Sequence, residues 1–187
     1  MNCCDVPLIL ASDPRDTACE RLAAAISCCR QCENDSVQPA LSPGAITGQE
    51  TLARFVPLIH FDSATGTVKP SLFEHARRMG MSVTRVEHTG PDGLARQQET
   101  RNYLGYVAAS CADIRGVLWE GSRAYCIYDT ALQDNTAHAD VCQTVFWQKS
   151  WQGADCVRLS KSQQSAVRHS LQRVFGRIPM KAGSPSS

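Results

Sequence analysis

A chain of 187 residues with 43% apolar content suits one compact domain and is too apolar for wholesale disorder. A net charge of +1 excludes any global pull toward nucleic acid or membrane. The start, MNCCDVPLILASD, has no basic region, and Pro7 and Asp13 interrupt its apolar run. Neither a secretory signal nor a membrane span is expected, so the chain reads as cytoplasmic, with its ten cysteines reduced and serving as small apolar residues.

Asp13-Pro14-Arg15-Asp16 has the chemistry of a helix start, and the helix should reach about Cys32 with Leu22, Ala25, Ile26 and Cys29 on one face. Asn34 to Gly48, with two prolines and two glycines, reads as a linker. Thr47 and Glu50 stand at capping-box spacing, which predicts a short helix from Gly48 to Phe55, ended by Pro57. A turn is expected at Thr65-Gly66. A second helix should open at Lys69-Pro70-Ser71, bury Leu72, Phe73 and Ala76, and stop at Gly80.

Met81 to Glu87 alternates and is β-branched, which predicts a strand. Gly90-Pro91-Asp92-Gly93 reads as a turn before a polar helix from Leu94 to Arg101. Tyr103 to Ser110 is a buried strand, and Val117–Trp119 and Ala124–Tyr128 flank a hairpin turn at Glu120-Gly121-Ser122. Val141 to Trp147 suits strand or helix. The last helix is capped by Ser160 or Ser162, buries Val167, Leu171, Val174 and Phe175, and is closed by Gly176 and Pro179. Hairpins mixed with unevenly spaced helices predict an α+β fold, a compact mixed domain with a small, largely antiparallel sheet and peripheral helices. Residues 1–47 would be a helical extension and linker, 48–179 the domain, and 180–187 a flexible tail.

The order of small motifs, Leu52-Ala53-Arg54-Phe55-Val56-Pro57, Lys69-Pro70-Ser71-Leu72-Phe73, Gly80-Met81-Ser82-Val83 and Asp134-Asn135-Thr136-Ala137-His138-Ala139, resembles a group of small bacterial proteins with no assigned activity. The resemblance covers about Leu52 to Val141, and Thr136 stands where that pattern has proline. It draws attention to Asn135 and His138 and implies a setting in bacterial mobile-element or defence loci.

Chemistry points first to the loop after Arg123–Tyr128, where Asp129, Asn135, His138 and Asp140 fall close together. Strand ends are where firm backbone meets free side chains. A histidine moves protons near neutral pH, and a carboxylate such as Asp129 would fix its tautomer. The plainer alternative is that Asp134 and Asn135 make a turn and His138 staples a loop carbonyl. Nucleophilic cysteine chemistry would fall to Cys126, with Cys111 and Cys142 nearby, yet no local motif surrounds them and packing explains Cys126. Cys28, Cys29 and Cys32 form one CxxC without the second knuckle a structural zinc needs, so no metal and no cofactor are expected.

The ends of the chain differ in charge. Residues 1–50 hold seven acids against three arginines, whereas six bases and no acid follow Val157. Arg168, Arg173 and Arg177 are the candidate binding residues of this basic end. The function expected is a non-catalytic accessory or interaction protein with a protein partner. The alternatives are a small His138-dependent hydrolase or transferase, and a nucleic-acid adaptor working through the basic C-terminal helix.

Overall fold

The structure is a computed structural model that describes residues 6–25, 33, 40–149 and 156–181. It is an α+β fold built on a five-stranded antiparallel sheet. The sheet strands are β1 (Thr51–Val56), β4 (Met81–Arg85), β5 (Gly105–Ser110), β8 (Tyr125–Asp129) and β9 (His138–Gln143), in spatial order β5-β1-β4-β9-β8. Three two-stranded ribbons surround it: β2 (Phe61–Asp62) with β3 (Thr67–Val68), β6 (Leu118–Trp119) with β7 (Ser122–Arg123), and β10 (Trp147–Lys149) with β11 (Cys156–Arg158). The helices are α1 (Val6–Ala11), α2 (Ala18–Ala25), α3 (Val86–Thr100), α4 (Cys111–Gly116) and α5 (Lys161–Phe175), with a 3-10 helix at Pro70–Arg77. No described helix is long and apolar enough to cross a membrane.

Strand alternation sorts the core onto two faces. One face presents Leu52, Val56, Met81, Val83, Ile127 and Val141. Leu72 and Phe73 of the 3-10 helix, Ile114 of α4, and Val167, Leu171 and Phe175 of α5 cover it. The other face is covered in two separate places. At the β8–β9 side, Cys126, Tyr128 and Cys142 pack against Val6, Leu10, Cys19 and Leu22 of α1 and α2. At the β1 side, Ala53 and Phe55 pack against Leu94 of α3.

Several expected elements are corrected. The segment expected as a helix over 48–55 is strand β1. Glu50 Oε1 does accept the Thr47 N–H at 2.7 Å, but the bond closes a turn, and pairing with β4 and β5 claims the residues that follow. The first helix begins at Ala18, after a 3-10 turn at Arg15–Thr17, and α1 precedes it; Ile26, Cys29 and Cys32 lie outside the described residues. Gly90, at a φ of 68° and a ψ of 169°, is not helical and breaks α3 where the turn is expected, but helix resumes directly after it rather than at Leu94. Glu120 and Gly121, both at positive φ, make the tight turn expected of a hairpin, but its second arm is only Ser122–Arg123. Tyr125–Asp129 leaves to join the main sheet. Ser160 caps α5, and Gln163 completes the capping box.

The stretch 40–46, expected to be linker, is tied to the fold: Ile46 is buried, and the Gly44 carbonyl accepts from Arg85. Each edge of the main sheet is guarded at one position. On β8 the buried Glu33 carboxylate accepts the Ile127 N–H at 2.6 Å and holds Arg123 at 2.6 Å. On β5, Tyr106 and Met180 exchange backbone bonds of 2.8 and 2.7 Å. The charge asymmetry of the chain ends is spent partly within the fold, through an Arg158–Glu20 ion pair.

Candidate functional site

In the β4–β9 register Ser82 pairs with Asp140 and Thr84 with His138. Paired residues share a face, as do residues two apart, so these four side chains form a polar stripe at the centre of the sheet. They stand on the face that α1–α2 and α3 cover only to either side. The stripe is therefore the floor of a groove between two walls. Under α1 the groove widens into a cavity of about 510 Å³, whose apolar wall includes Leu8, Leu10 and Leu132. Toward α3 lies a second cavity of about 280 Å³, lined by Arg54, Arg101, Tyr103 and Asn135. Ser82, Leu132 and His138 line both.

His138 is half-buried, and its neighbours settle its tautomer. Nδ1 lies 3.0 Å from the Thr130 carbonyl and 2.9 Å from Thr130 Oγ1. A carbonyl can only accept, so Nδ1 carries the hydrogen and the neutral ring keeps its lone pair on Nε2. Thr130 Oγ1 in turn donates to Asp140 Oδ2 at 2.8 Å, with both residues buried. The carboxylate that orients the ring is thus Asp140, acting through a hydroxyl.

Asp129, expected to fill that role, is on the opposite face. It pairs in register with Ala139, between His138 and Asp140, so its side chain points the other way. There it accepts from Ser42 Oγ, from the Ala131 N–H at 3.0 Å and from Arg85 Nη1 at 3.0 Å. Asn135 shapes the loop through its backbone, exchanging bonds with Leu132 and accepting the His138 N–H. Its side chain borders the smaller cavity.

Arg85, 1% exposed, is the centre of a second cluster that the sequence reading missed. Nε and Nη2 clamp Glu50 at 2.6 and 3.0 Å, while Nη1 holds Asp129 and the Gly44 carbonyl. His88 lies at the rim, 3.2 Å from Nη2. Burial pushes the Glu50 carboxyl up, but the Arg85 and Thr47 bonds outweigh it and hold its pKa below the usual value. The signal was in the sequence: Met81, Val83 and Arg85 alternate onto one apolar face, and an arginine there needs buried acids.

Among the described residues, Cys111, Cys126 and Cys142 are not poised as nucleophiles. Cys126 is disulfide-bonded, which corrects both the thiol-nucleophile candidate and the expectation that every cysteine is reduced. Burial pushes the Cys111 thiol up to about 12, and burial with a Cys19 hydrogen bond raises Cys142. Thiol counting on protein alkylated at lysis and then unfolded should find at most eight of the ten cysteines free. Ten free thiols would remove the bridge. Cys28, Cys29 and Cys32 lie outside the described residues, among which no group of three potential ligands could hold a metal.

Of the basic candidates, Arg168 is half-buried and ion-paired with Glu74, whereas Arg173 and Arg177 are exposed. No protein-family model, curated protein or solved structure matches this chain.

Proposed function

We propose that the chain binds a small molecule in the groove over β4 and β9, and that His138 transfers a proton there, as in a small hydrolase or transferase. The observation that carries this reading is the Thr130 carbonyl at Nδ1, which leaves the Nε2 lone pair uncommitted among the described residues. An apolar cavity with a few convergent polar groups is the usual form of a small-molecule site. In hydrolysis Nε2 would take a proton from water as its oxygen attacks the substrate carbonyl carbon. The same nitrogen would return that proton to the leaving oxygen as the ester bond breaks.

The test uses p-nitrophenyl acetate and butyrate as probes. Turnover above buffer is expected, and His138→Ala should lower it by about 10²–10⁴-fold. Thr130→Val, which keeps the carbonyl and removes only the hydroxyl link to Asp140, should lower it less. Two-bond proton–nitrogen correlation spectra should show the hydrogen on Nδ1. Undiminished turnover in His138→Ala, or a neutral ring protonated at Nε2, would sink the reading.

A second reading keeps the accessory or interaction protein, and the exposed apolar residues Leu58, Ile59 and Ile178 (70%, 75% and 76% exposed) favour it. A partner that copurifies equally with wild type and His138→Ala, and is lost on Ile59→Asp, would support it. A nucleic-acid contact through α5 would depend on Arg173 and Arg177, because Arg168 is committed to Glu74. Its mark would be binding that falls steeply with salt. A bacterial cytoplasmic setting in a mobile-element or defence locus is part of the same proposal. Because persistent disulfides belong with oxidising compartments, the thiol count bears on that setting too.

A further inference from the structure

The two cavities that meet at His138 differ in chemistry, and the difference describes a ligand. On the α1 side, Leu8 and Leu132 are 68% and 46% exposed and border the larger cavity together with Leu10 and Met79. Apolar side chains left open to a concave site gain most by covering an apolar group. On the α3 side the lining carries Arg54, Arg101 and the Tyr103 ring with one carboxylate, Asp134, while Asp140 on the neighbouring floor also attracts Arg54. Arg54 is the telling residue. Its Nη1 donates to the Ser82 carbonyl at 2.9 Å, but Nε is buried with no partner among the described residues. Nε is closed to a ligand as it is to water, but Nη2 makes no hydrogen bond among the described residues and, beside the exposed Arg101, is the donor left for an anion in this cavity. Arginine also suits anionic oxygens because its donors form a planar fork.

We infer that the groove takes an amphipathic anion, with its carboxylate or phosphate at Arg54 and Arg101 and its apolar part under α1. The proposal rests on the reading of the groove as a ligand site and adds the substrate class. Such a molecule would cross the Ser82–His138 floor, so the bond within reach of His138 would lie between its charged and apolar parts. A carboxylate and a phosphate monoester share the head-group chemistry, and the test separates them.

Binding of octanoate, octyl phosphate, octanol and octylamine to the full chain would be measured by titration calorimetry. At least one of the two anions is expected to bind at least tenfold more tightly than octanol, and the tighter of them names the head group. Octylamine should bind no better than octanol. Arg54→Gln should remove the preference for anions. Because Arg54 also bonds across the sheet, the exposed Arg101→Gln provides a second variant, expected to weaken the tighter anion three- to tenfold. Leu8→Asp, on the opposite wall, should weaken the anions and octanol alike. Equal affinity of wild type for the anions and octanol would overturn the inference, as would an anion preference unchanged in both arginine variants. Ester turnover is a separate readout. Turnover without anion preference leaves the His138 reading standing and removes this one, whereas anion preference without turnover does the reverse.

Discussion

Arg85→Met is expected to lower stability by about 3–5 kcal/mol, because it strands two buried acids by removing the guanidinium they share. Glu50 loses its two-pronged partner and Asp129 loses one of its three donors. The denaturation midpoint should fall sharply with the slope unchanged. Adding Glu50→Gln and Asp129→Asn should recover part of the loss, since the neutral set no longer buries unpaired charge. If the single variant melts like wild type, the cluster is not a determinant of the fold.

The same cluster has a pH signature. The Glu50 pKa in the folded protein is lowered from its ordinary 4.5, so the folded state prefers the ionised form. Its contribution is therefore fully present above the unfolded value and is lost as pH falls through the folded one. Wild type should lose stability on acidification below about 4.5, and Glu50→Gln should lose less across that window. A slope unchanged by the substitution would remove Glu50 as the titrating group.

Deleting residues 1–46 should leave an insoluble or molten chain. The sequence places a boundary near Gly48, but the packing argues against an autonomous unit beyond it. Val6, Leu10 and Leu22 are buried against Cys126, Tyr128, Cys142 and Phe146 of the sheet region. Side chains of this size are worth about 1.5–3 kcal/mol each, so the three together supply about 5–9 kcal/mol. That rivals the whole stability of an ordinary domain, about 5–15 kcal/mol. Cooperative unfolding of the truncated chain with native-like near-ultraviolet dichroism would restore the boundary at Gly48.

Legibility followed the range of the interactions. The α+β class, the strand at Met81–Arg85, the Glu120-Gly121 turn and the capped helix α5 were readable because alternation, turn chemistry and caps act over a few residues. Strand β1 looks helical in sequence because Thr47 and Glu50 do bond as a capping pair would, while the pairing that makes Leu52–Val56 a strand comes from residues about thirty and fifty positions away. At the candidate site His138 was legible from its polar loop. Its partner was not: the strand periodicity that sends Asp129 to the far face also puts Asp140 on the near one, and the link through Thr130 depends on a register no local pattern specifies. Arg54 drew no attention because its cavity exists only once α3 is packed beside β1.

The guarded positions on the sheet edges limit how this molecule can associate. An unguarded edge strand is a template on which another chain can add a strand, either as recognition or as the first step of aggregation. At Ile127 a carboxylate has taken the outward N–H, and at Tyr106 both backbone groups are already shared with Met180. A newcomer strand would first have to displace these bonds, one of them made by a buried acid that also holds Arg123. Recruitment by main-chain pairing is closed at those two positions, so a partner strand added to this sheet would have to pair elsewhere along its edges. Glu33→Gln would keep the shape of the guard and weaken its hold, turning a closed border into a conditional one.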